Sequence, residues 1–303
     1  MLHQIEFRAM GCRIYIASDS PSQPNNFAEI PQWFDEWEDH LSRFRPDSEL
    51  NRLNRANGIP TKVSPVFADV LERAIEAESL SDGLVTPVLL DALVSAGYDR
   101  SFNLVPQESF GARSAELNFL PRLEEIDWDP NTSTLWLPPD LHLDFGGVGK
   151  GWASYQTAQR LKSNAPSLVD AQGDITVTAP QIDGSPWRIG IEDPFDESEH
   201  VAVINIHEGG VATSGRNARN WLRNGKLVHH IIDPRTGQSA ETDVLTATVI
   251  APNVMQAEAV TKTLLILGSE NAFHWLDAHL EFAALLILED GQVITTRNFE
   301  EYL

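Results

Sequence analysis

One cysteine, Cys12, stands in 303 residues. A single thiol closes no disulfide and builds no cysteine-based zinc site. Set beside Gly11 in a strand-like segment, it reads as a partly buried, inert side chain rather than a catalytic thiol. Positive charge is also scarce: 22 Lys and Arg face 44 Asp and Glu, for a formal net charge of -22. Binding a nucleic-acid backbone needs clustered Lys and Arg, so that class of partner is excluded, and a direct role at an anionic membrane is disfavoured. The acidic residues are spread along the chain rather than gathered in a tail, which makes them mostly solvated surface. Long apolar runs are missing. The longest is FAALLIL, Phe282 to Leu288, far short of the roughly 18 residues that span a bilayer. MLHQIEFRAMG has neither a basic start nor an apolar h-region, so no secretory signal is visible. A soluble, cytoplasmic protein with no membrane span is expected.

What is present is enough apolar material for a core, 42% of the residues, in patterns that alternate between helix and strand. IEFRAMGCRIYIA alternates around Met10-Gly11 and reads as two strands, or one strand with a glycine bulge. Phe27, Ile30, Phe34, Trp37, Leu41 and Phe44 describe one helix stripe, with Pro31 in its first turn or just before it. Ser64-Pro65 is an N-cap followed by a first-turn proline, opening a helix through Val66, Val70, Leu71, Ile75 and Leu80 that SDG ends. Val88 to Pro121 is poorly patterned and reads as loops and short elements. From Ile126, IDWD, TLWLP and LHLDF alternate as strands between turn residues. A helix opens after DFGGVGKG and runs to about Ser163. SLVDAQ, DITVTA, WRIGIED, VAVINIH and GVATS then read as strands. Asn224-Gly225 marks a hairpin into LVHHIID, and LTATVIAP is a further strand. Val254 to Leu267 and Asn271 to His279 are helical, and a hairpin across Asp290-Gly291 closes the chain. Early helices followed by many antiparallel-looking strands make the fold class α+β. Length alone allows about two domains. No repeat, low-complexity tract or linker divides residues 1–303, which read as one unit whose lobes the sequence does not separate.

Four stretches carry glycine and polar residues that suggest chemistry. In Asp144-Phe-Gly-Gly-Val-Gly-Lys-Gly151 a strand ends and a helix begins, with free backbone N–H groups and a lysine in the first turn. That suits a phosphate, and it equally suits a plain tight turn. It matches neither a Walker A loop nor a dinucleotide fingerprint. Gln172-Gly173-Asp174 follows a buried-looking strand and can be any bulge. Gly210-Val-Ala-Thr-Ser-Gly215, with Arg216 and Arg219 behind it, can bind an anion or cap a short helix. His229-His230-Ile-Ile-Asp233-Pro-Arg-Thr-Gly237 places adjacent histidines on opposite faces of a strand, a poor bidentate metal pair. Its DPRTG is a turn whose Asp and Thr can bond local backbone.

These stretches, in this order, resemble the FAD:protein FMN transferases, the ApbE family. The resemblance covers nearly the whole chain. It includes Met10-Gly11; SRFRPDSELN from Ser42 to Asn51, with Leu53-Asn54; Asp82-Gly83 with Thr86-Pro87; and Asp144 through Gly151. It continues through Gly173-Asp174, Thr213-Ser214-Gly215 and His230 to Gly237, and ends at Leu267-Gly268. Each motif is weak alone, and the ordered set is specific. The resemblance implies a two-lobed α+β fold, antiparallel sheets flanked by helices, with an FAD cleft between the lobes. It implies that FMN is moved from FAD to a threonine of a target flavoprotein with release of AMP, or that FAD is hydrolysed to FMN and AMP. The alternative it leaves open is an FAD- or nucleotide-binding homologue with impaired catalysis and a degenerate magnesium site. By position, Met10 would line the flavin pocket. Gly146, Gly147, Gly149 and Lys150 would lie near phosphates or ribose, Asp144 and Asp174 would orient polar parts of FAD or its loops, and Thr213, Ser214 and Gly215 would lie along the cleft. His230 and Asp233 are the candidates for proton handling and alignment.

The chain departs from the family at several of these places. Arg-Asn-Ala-Arg-Asn-Trp follows Thr213-Ser214-Gly215 where a tyrosine-bearing stretch is common, Gln172 replaces the first glycine of Gly-Gly-Asp, and Tyr155 stands where an Asp is frequent. The largest departure is EAVTK, Glu258 to Lys262. Counted back from Leu267-Gly268, its ends fall where the family holds magnesium with an Asp and a Thr, the third ligand being a backbone carbonyl, here that of Gly147. Glutamate can still ligate a metal. A charged lysine cannot, having only donors. By itself Glu258…Lys262 reads as an i,i+4 surface pair worth about 0.2–0.5 kcal/mol. Alternatively, Lys262 sets its ammonium where the metal would sit. Weak or absent magnesium binding is expected.

Overall fold

Met10 and Gly11 both take positive φ, 53° and 66°, the conformation of a two-residue hairpin turn. The first alternating segment is therefore two strands, Leu2–Ala9 and Cys12–Asp19. The computed structural model describes residues 1–109, 123–163 and 165–303. By its contacts the chain divides into two units. The first is Met1–Trp33, Lys150–Asn217 and Glu241–Leu303; the second is Phe34–Gly149 and Ala218–Ala240.

The first unit is built on an eight-stranded sheet in which every neighbouring pair is antiparallel. The strand order is Leu2–Ala9, Cys12–Asp19, Ser167–Ala171, Asp174–Val177, Gly209–Gly215, Val244–Ala251, Ala283–Leu288, Val293–Thr295. Strand alternation gives the sheet two different faces. Ala17, Ile175, Val211, Ile250 and Leu285 point one way and pack with Ile189, Ile191, Ile204 and Ile206, which come from the strands Trp187–Asp193 and Asp196–Ile206. On the other face the helix Val254–Leu267 lies over Gly209–Gly215 and Val244–Ala251. Asn253 caps it, its Oδ1 accepting the Gln256 N–H at 3.0 Å, and Gly268 ends it at φ 77°. The approach is close because Gly210 has no side chain; a Cβ there would overlap the Val254 backbone.

The second unit holds most of the short helices. The helix Ile30–Leu41 begins in the first unit and enters the second, burying Phe34, Trp37 and Leu41. Phe27 lies in a 3-10 turn just before it, and Phe44 falls beyond its end and is 40% exposed, so the buried stripe stops at Leu41. Ser64 caps Pro65–Leu80 by accepting the Phe67 N–H at 3.2 Å, with the proline in the first turn. The helix Glu49–Asn54 has no counterpart in the periodicity; it is capped by Ser48. Asp127–Asp129 and Thr134–Trp136 are strands as expected, and LHLDF is not. Its ladder partner is a side chain: Asn54 Nδ2 donates to the Leu143 carbonyl, and the Leu143 N–H donates to Asn54 Oδ1, both at 2.9 Å. The Asn224-Gly225 hairpin forms between Asn220–Arg223 and Lys226–His229. Of the stretch from Val88 to Pro121, expected to be loops and short elements, residues 110–121 lie outside the described residues. Before them a helix, Leu90–Ser95, is formed.

Within this unit His142 Nδ1 meets Asp91 Oδ2 at 2.8 Å. The Asp91 hydrogen bond raises the His142 pKa above its ordinary 6.5 against the opposing effect of burial, with the Asp91 and Asp140 charges adding to the rise. A raised folded-state pKa contributes stability in full below the unfolded value and loses it as pH rises through the folded one. The stability difference between wild type and His142→Gln, read from urea midpoints, should therefore be widest below about pH 6.5 and close in alkali.

Candidate functional site: a buried charge cluster and a glycine turn

Four charged side chains gather on the helix face of the first unit's sheet. Asp174 opens its strand opposite Ala212 and faces away from the apolar layer that Ile175 and Val177 join. It is fully buried. Its Oδ2 accepts from the Lys150 ammonium, while its Oδ1 has no hydrogen-bond partner among the described residues. Glu258 is also fully buried, on the helix Val254–Leu267. Its Oε2 accepts the Gly151 N–H at 3.0 Å and its Oε1 accepts from Lys262 Nζ at 3.1 Å. Lys262 Nζ donates again to the Glu258 carbonyl, at 3.3 Å.

Burial opposes all of these charges, and the cluster answers by pairing them. Burial pulls the Lys150 ammonium down, yet Asp174 and Glu258 outweigh it and leave its pKa above the ordinary lysine value. Burial raises the Glu258 carboxyl, helped by Asp174 and opposed by Lys262 and Lys150. The Glu258–Lys262 pair is thus no surface pair. Its side chains are 0% and 13% exposed, so solvent screening does not reduce it to the few tenths of a kcal/mol of an exposed helix pair.

Gly151 lets the two helices meet at this point. A Cβ there would come to 2.6 Å from Glu258 Oε2 and 3.4 Å from the Val254 carbonyl. Gly151→Ala should push the Glu258 carboxylate off the helix N–H and cost about 1–3 kcal/mol in overpacking, measurable as a lower urea midpoint. Hydroxyls extend the cluster along the strands: Ser214 Oγ lies 3.0 Å from Thr261 Oγ1, and Thr261 Oγ1 donates to the Glu258 carbonyl at 2.9 Å. Thr213 Oγ1 pairs with Thr248 Oγ1 at 2.9 Å, and its N–H reaches the Gly173 carbonyl at 2.9 Å. Gly215 ends this strand and Met10 sits half-buried in the first hairpin turn.

The second unit carries the other predicted residues. Asp144 is buried against Arg43, whose Nε lies 2.8 Å from Asp144 Oδ2, and Asp144 Oδ1 accepts the Gly146 N–H. The turn through Gly146 and Gly147 closes with the Gly149 N–H on the Phe145 carbonyl at 2.8 Å, and the helix Gly149–Lys162 begins there. Arg43 also donates from Nη1 to the Tyr98 carbonyl at 2.6 Å and lies 4.5 Å from the Phe44 ring centroid and 4.3 Å from that of Tyr98. Its motif was visible in the sequence, but nothing in the pattern gave Arg43 a role; an arginine followed by an aromatic residue was the available signal. Gly151 was missed in the same way.

The two histidines differ. His229 is buried, with Nε2 3.1 Å from the Ala240 carbonyl and Nδ1 accepting the Ile231 N–H at 3.3 Å. That tautomer locks the loop. His230 is half-buried, beyond the end of the strand, and its N–H donates to the Arg219 carbonyl at 3.3 Å. Asp233 belongs to its own turn. Its Oδ1 accepts the Arg235 N–H at 2.8 Å, its Oδ2 lies 2.8 Å from Arg235 Nη2, and its carbonyl accepts the Gly237 N–H at 2.8 Å.

The donor set around Glu258 does not suit a divalent ion. Both carboxylate oxygens already accept hydrogen bonds, and the residue four places on is an ammonium without a lone pair. Among the described residues no group of three or more His, Cys, Asp or Glu is arranged to hold a metal. Gly147 lies in the second unit. Nor is any helix among the described residues long and apolar enough to cross a membrane.

The ApbE family model matches residues 10–286. The FAD:protein FMN transferase of Salmonella typhimurium is 30% identical over 268 residues, 86% of this chain and 76% of that protein. That of Treponema pallidum is 30% identical over 302 residues, 93% of this chain and 83% of that protein. Among solved structures, the flavin transferase ApbE from Vibrio cholerae superposes with a TM-score of 0.78 at 26% identity, covering 100% of both chains. The ApbE protein from Thermotoga maritima gives a TM-score of 0.89 at 22% identity, over 100% of this chain and 99% of that one; at that identity the likeness is one of fold.

Proposed function

This chain belongs to the ApbE family, and from that premise we propose that it takes FAD and passes the FMN half to a threonine hydroxyl of a target flavoprotein, releasing AMP. The observation that carries this reading is the match, over most of the chain, to relatives named for that activity. The acceptor oxygen forms a bond to the flavin-side phosphorus. The pyrophosphate bond to the AMP half breaks, AMP leaves with the bridging oxygen, and the hydroxyl proton goes to a base. With water in the acceptor's place the products are FMN and AMP.

Such a transfer needs positioning and charge compensation more than covalent help from the protein. Lys150 and Lys262 supply positive charge, and the turn Gly146, Gly147, Gly149 supplies backbone N–H groups at a helix start. Asp144 and Asp174 orient these parts, Thr213, Ser214 and Gly215 line the FAD, and Met10 packs on the flavin. His230 is the candidate base. Asp233 shapes the turn that follows it, three residues after His230, because Arg235 engages both of its oxygens.

Incubation with FAD should release AMP, read by chromatography, and leave flavin fluorescence on a denatured acceptor protein. His230→Ala should retain FAD binding and lose about 100-fold or more in rate. Unchanged flavin fluorescence and melting temperature on FAD titration would rule the reading out.

A further inference from the structure

The charge cluster of the first unit is complete without a metal. Lys150 and Lys262 bring two positive charges; Asp174 and Glu258 bring two negative ones. A divalent ion added at Glu258 would enter a neutral, buried cluster and lie next to an ammonium held on the same carboxylate. Repulsion in a low-dielectric setting opposes this strongly. The lysines also retain capacity. Each ammonium has three donors; Lys262 spends two on Glu258, and neither lysine is sealed off, at 13% and 20% side-chain exposure. One acceptor is left over: Asp174 Oδ1 is buried with no partner among the described residues, although native structures rarely leave such an atom unused, and an acceptor-only oxygen suits a donor group of a bound molecule.

We infer that Lys262, fixed on Glu258, supplies the positive charge that a metal would otherwise supply, so that this chain engages the pyrophosphate of FAD without a divalent ion. The inference rests on the FAD reading above. Its structural logic is that a lysine at this turn of the helix is tethered twice to one residue, which holds a point charge in place without coordination geometry.

The test uses the full chain after dialysis against EDTA. FAD is titrated, and flavin fluorescence is followed with and without magnesium; magnesium alone is titrated by calorimetry. The expected result is FAD affinity within about twofold in the two buffers, AMP release that continues in EDTA, and no stoichiometric heat from magnesium. Lys262→Met should weaken FAD binding in EDTA by about tenfold or more, and Lys262→Arg should recover most of that loss. The double variant Glu258→Asp, Lys262→Thr should acquire a magnesium-dependent rise in melting temperature that wild type lacks. FAD binding or AMP release that is about tenfold or more weaker in EDTA, or tight magnesium binding to the wild-type chain, overturns the inference and leaves the FAD reading standing. No FAD binding in either buffer overturns the reading itself, and the inference with it.

Discussion

Lys150→Met is expected to destabilise the first unit by about 3–5 kcal/mol, the usual cost of removing one partner from a buried ion pair. The cost comes from what is left behind. Asp174 is fully buried and would hold an uncompensated negative charge, with its Oδ1 already unpartnered among the described residues. The Coulomb energy of the pair in wild type is not the relevant quantity, since desolvation of both ions offsets most of it. One control separates these effects. Lys150→Met combined with Asp174→Leu should be more stable than Lys150→Met alone, despite carrying one substitution more, because the isolated charge is gone. Both variants should lose FAD binding. A Lys150→Met protein with an unaltered urea midpoint at neutral pH would show that the pair is solvated and that the cluster is not a buried site.

Arg43→Ala is expected to cost about as much, again about 3–5 kcal/mol, in the second unit. Arg43 is 8% exposed and Asp144 7%. The guanidinium makes one bond to the carboxylate and one to the Tyr98 carbonyl while its plane lies against two rings. Lysine keeps the charge and loses the fork and the stacking, so Arg43→Lys should recover less than half of the loss. The local consequence is more specific than the global one. Asp144 is fixed by Arg43 on one oxygen and holds the Gly146 N–H on the other. Without Arg43 the glycine turn loses its anchor, and hydrogen exchange at the Gly146 amide should accelerate more than at helix amides elsewhere in the unit. Equal protection of that amide in wild type and variant would mean that the turn holds its shape unaided.

Several features of this chain were legible one residue at a time because the controlling physics is local. Ser64-Pro65 announces a helix start since a side-chain oxygen and a missing N–H both suit a first turn. Asn224-Gly225 announces a hairpin since both turn positions need positive φ, as both show; Met10-Gly11 left two strands or one bulged strand open, and its two positive φ values decide for the hairpin. The helix Val254–Leu267 appears at the expected limits, set by Asn253 and Gly268. The misses have the opposite character. LHLDF alternates like a strand, yet its backbone bonds go to the side chain of Asn54, 89 residues away. The helix Ser269–Leu276 starts and ends before the predicted Asn271 to His279, and His279 lies past it, stacked on Trp275 at 3.7 Å.

The sequence by itself determined the α+β class, the turns, the caps and the ordered motifs that mark the family, because each depends on the dihedral preferences and hydrogen-bonding groups of residues close together in the chain. Only the tertiary structure decided what Glu258 and Lys262 are. Spacing on a helix is the same for a solvated pair and a buried one; the difference lies in the sheet beneath the helix, the glycines at 151 and 210 that let the elements close, and the second pair, Lys150 and Asp174, alongside. Burial, and therefore the electrostatic weight of a charge, is a property of residues brought together across more than a hundred positions.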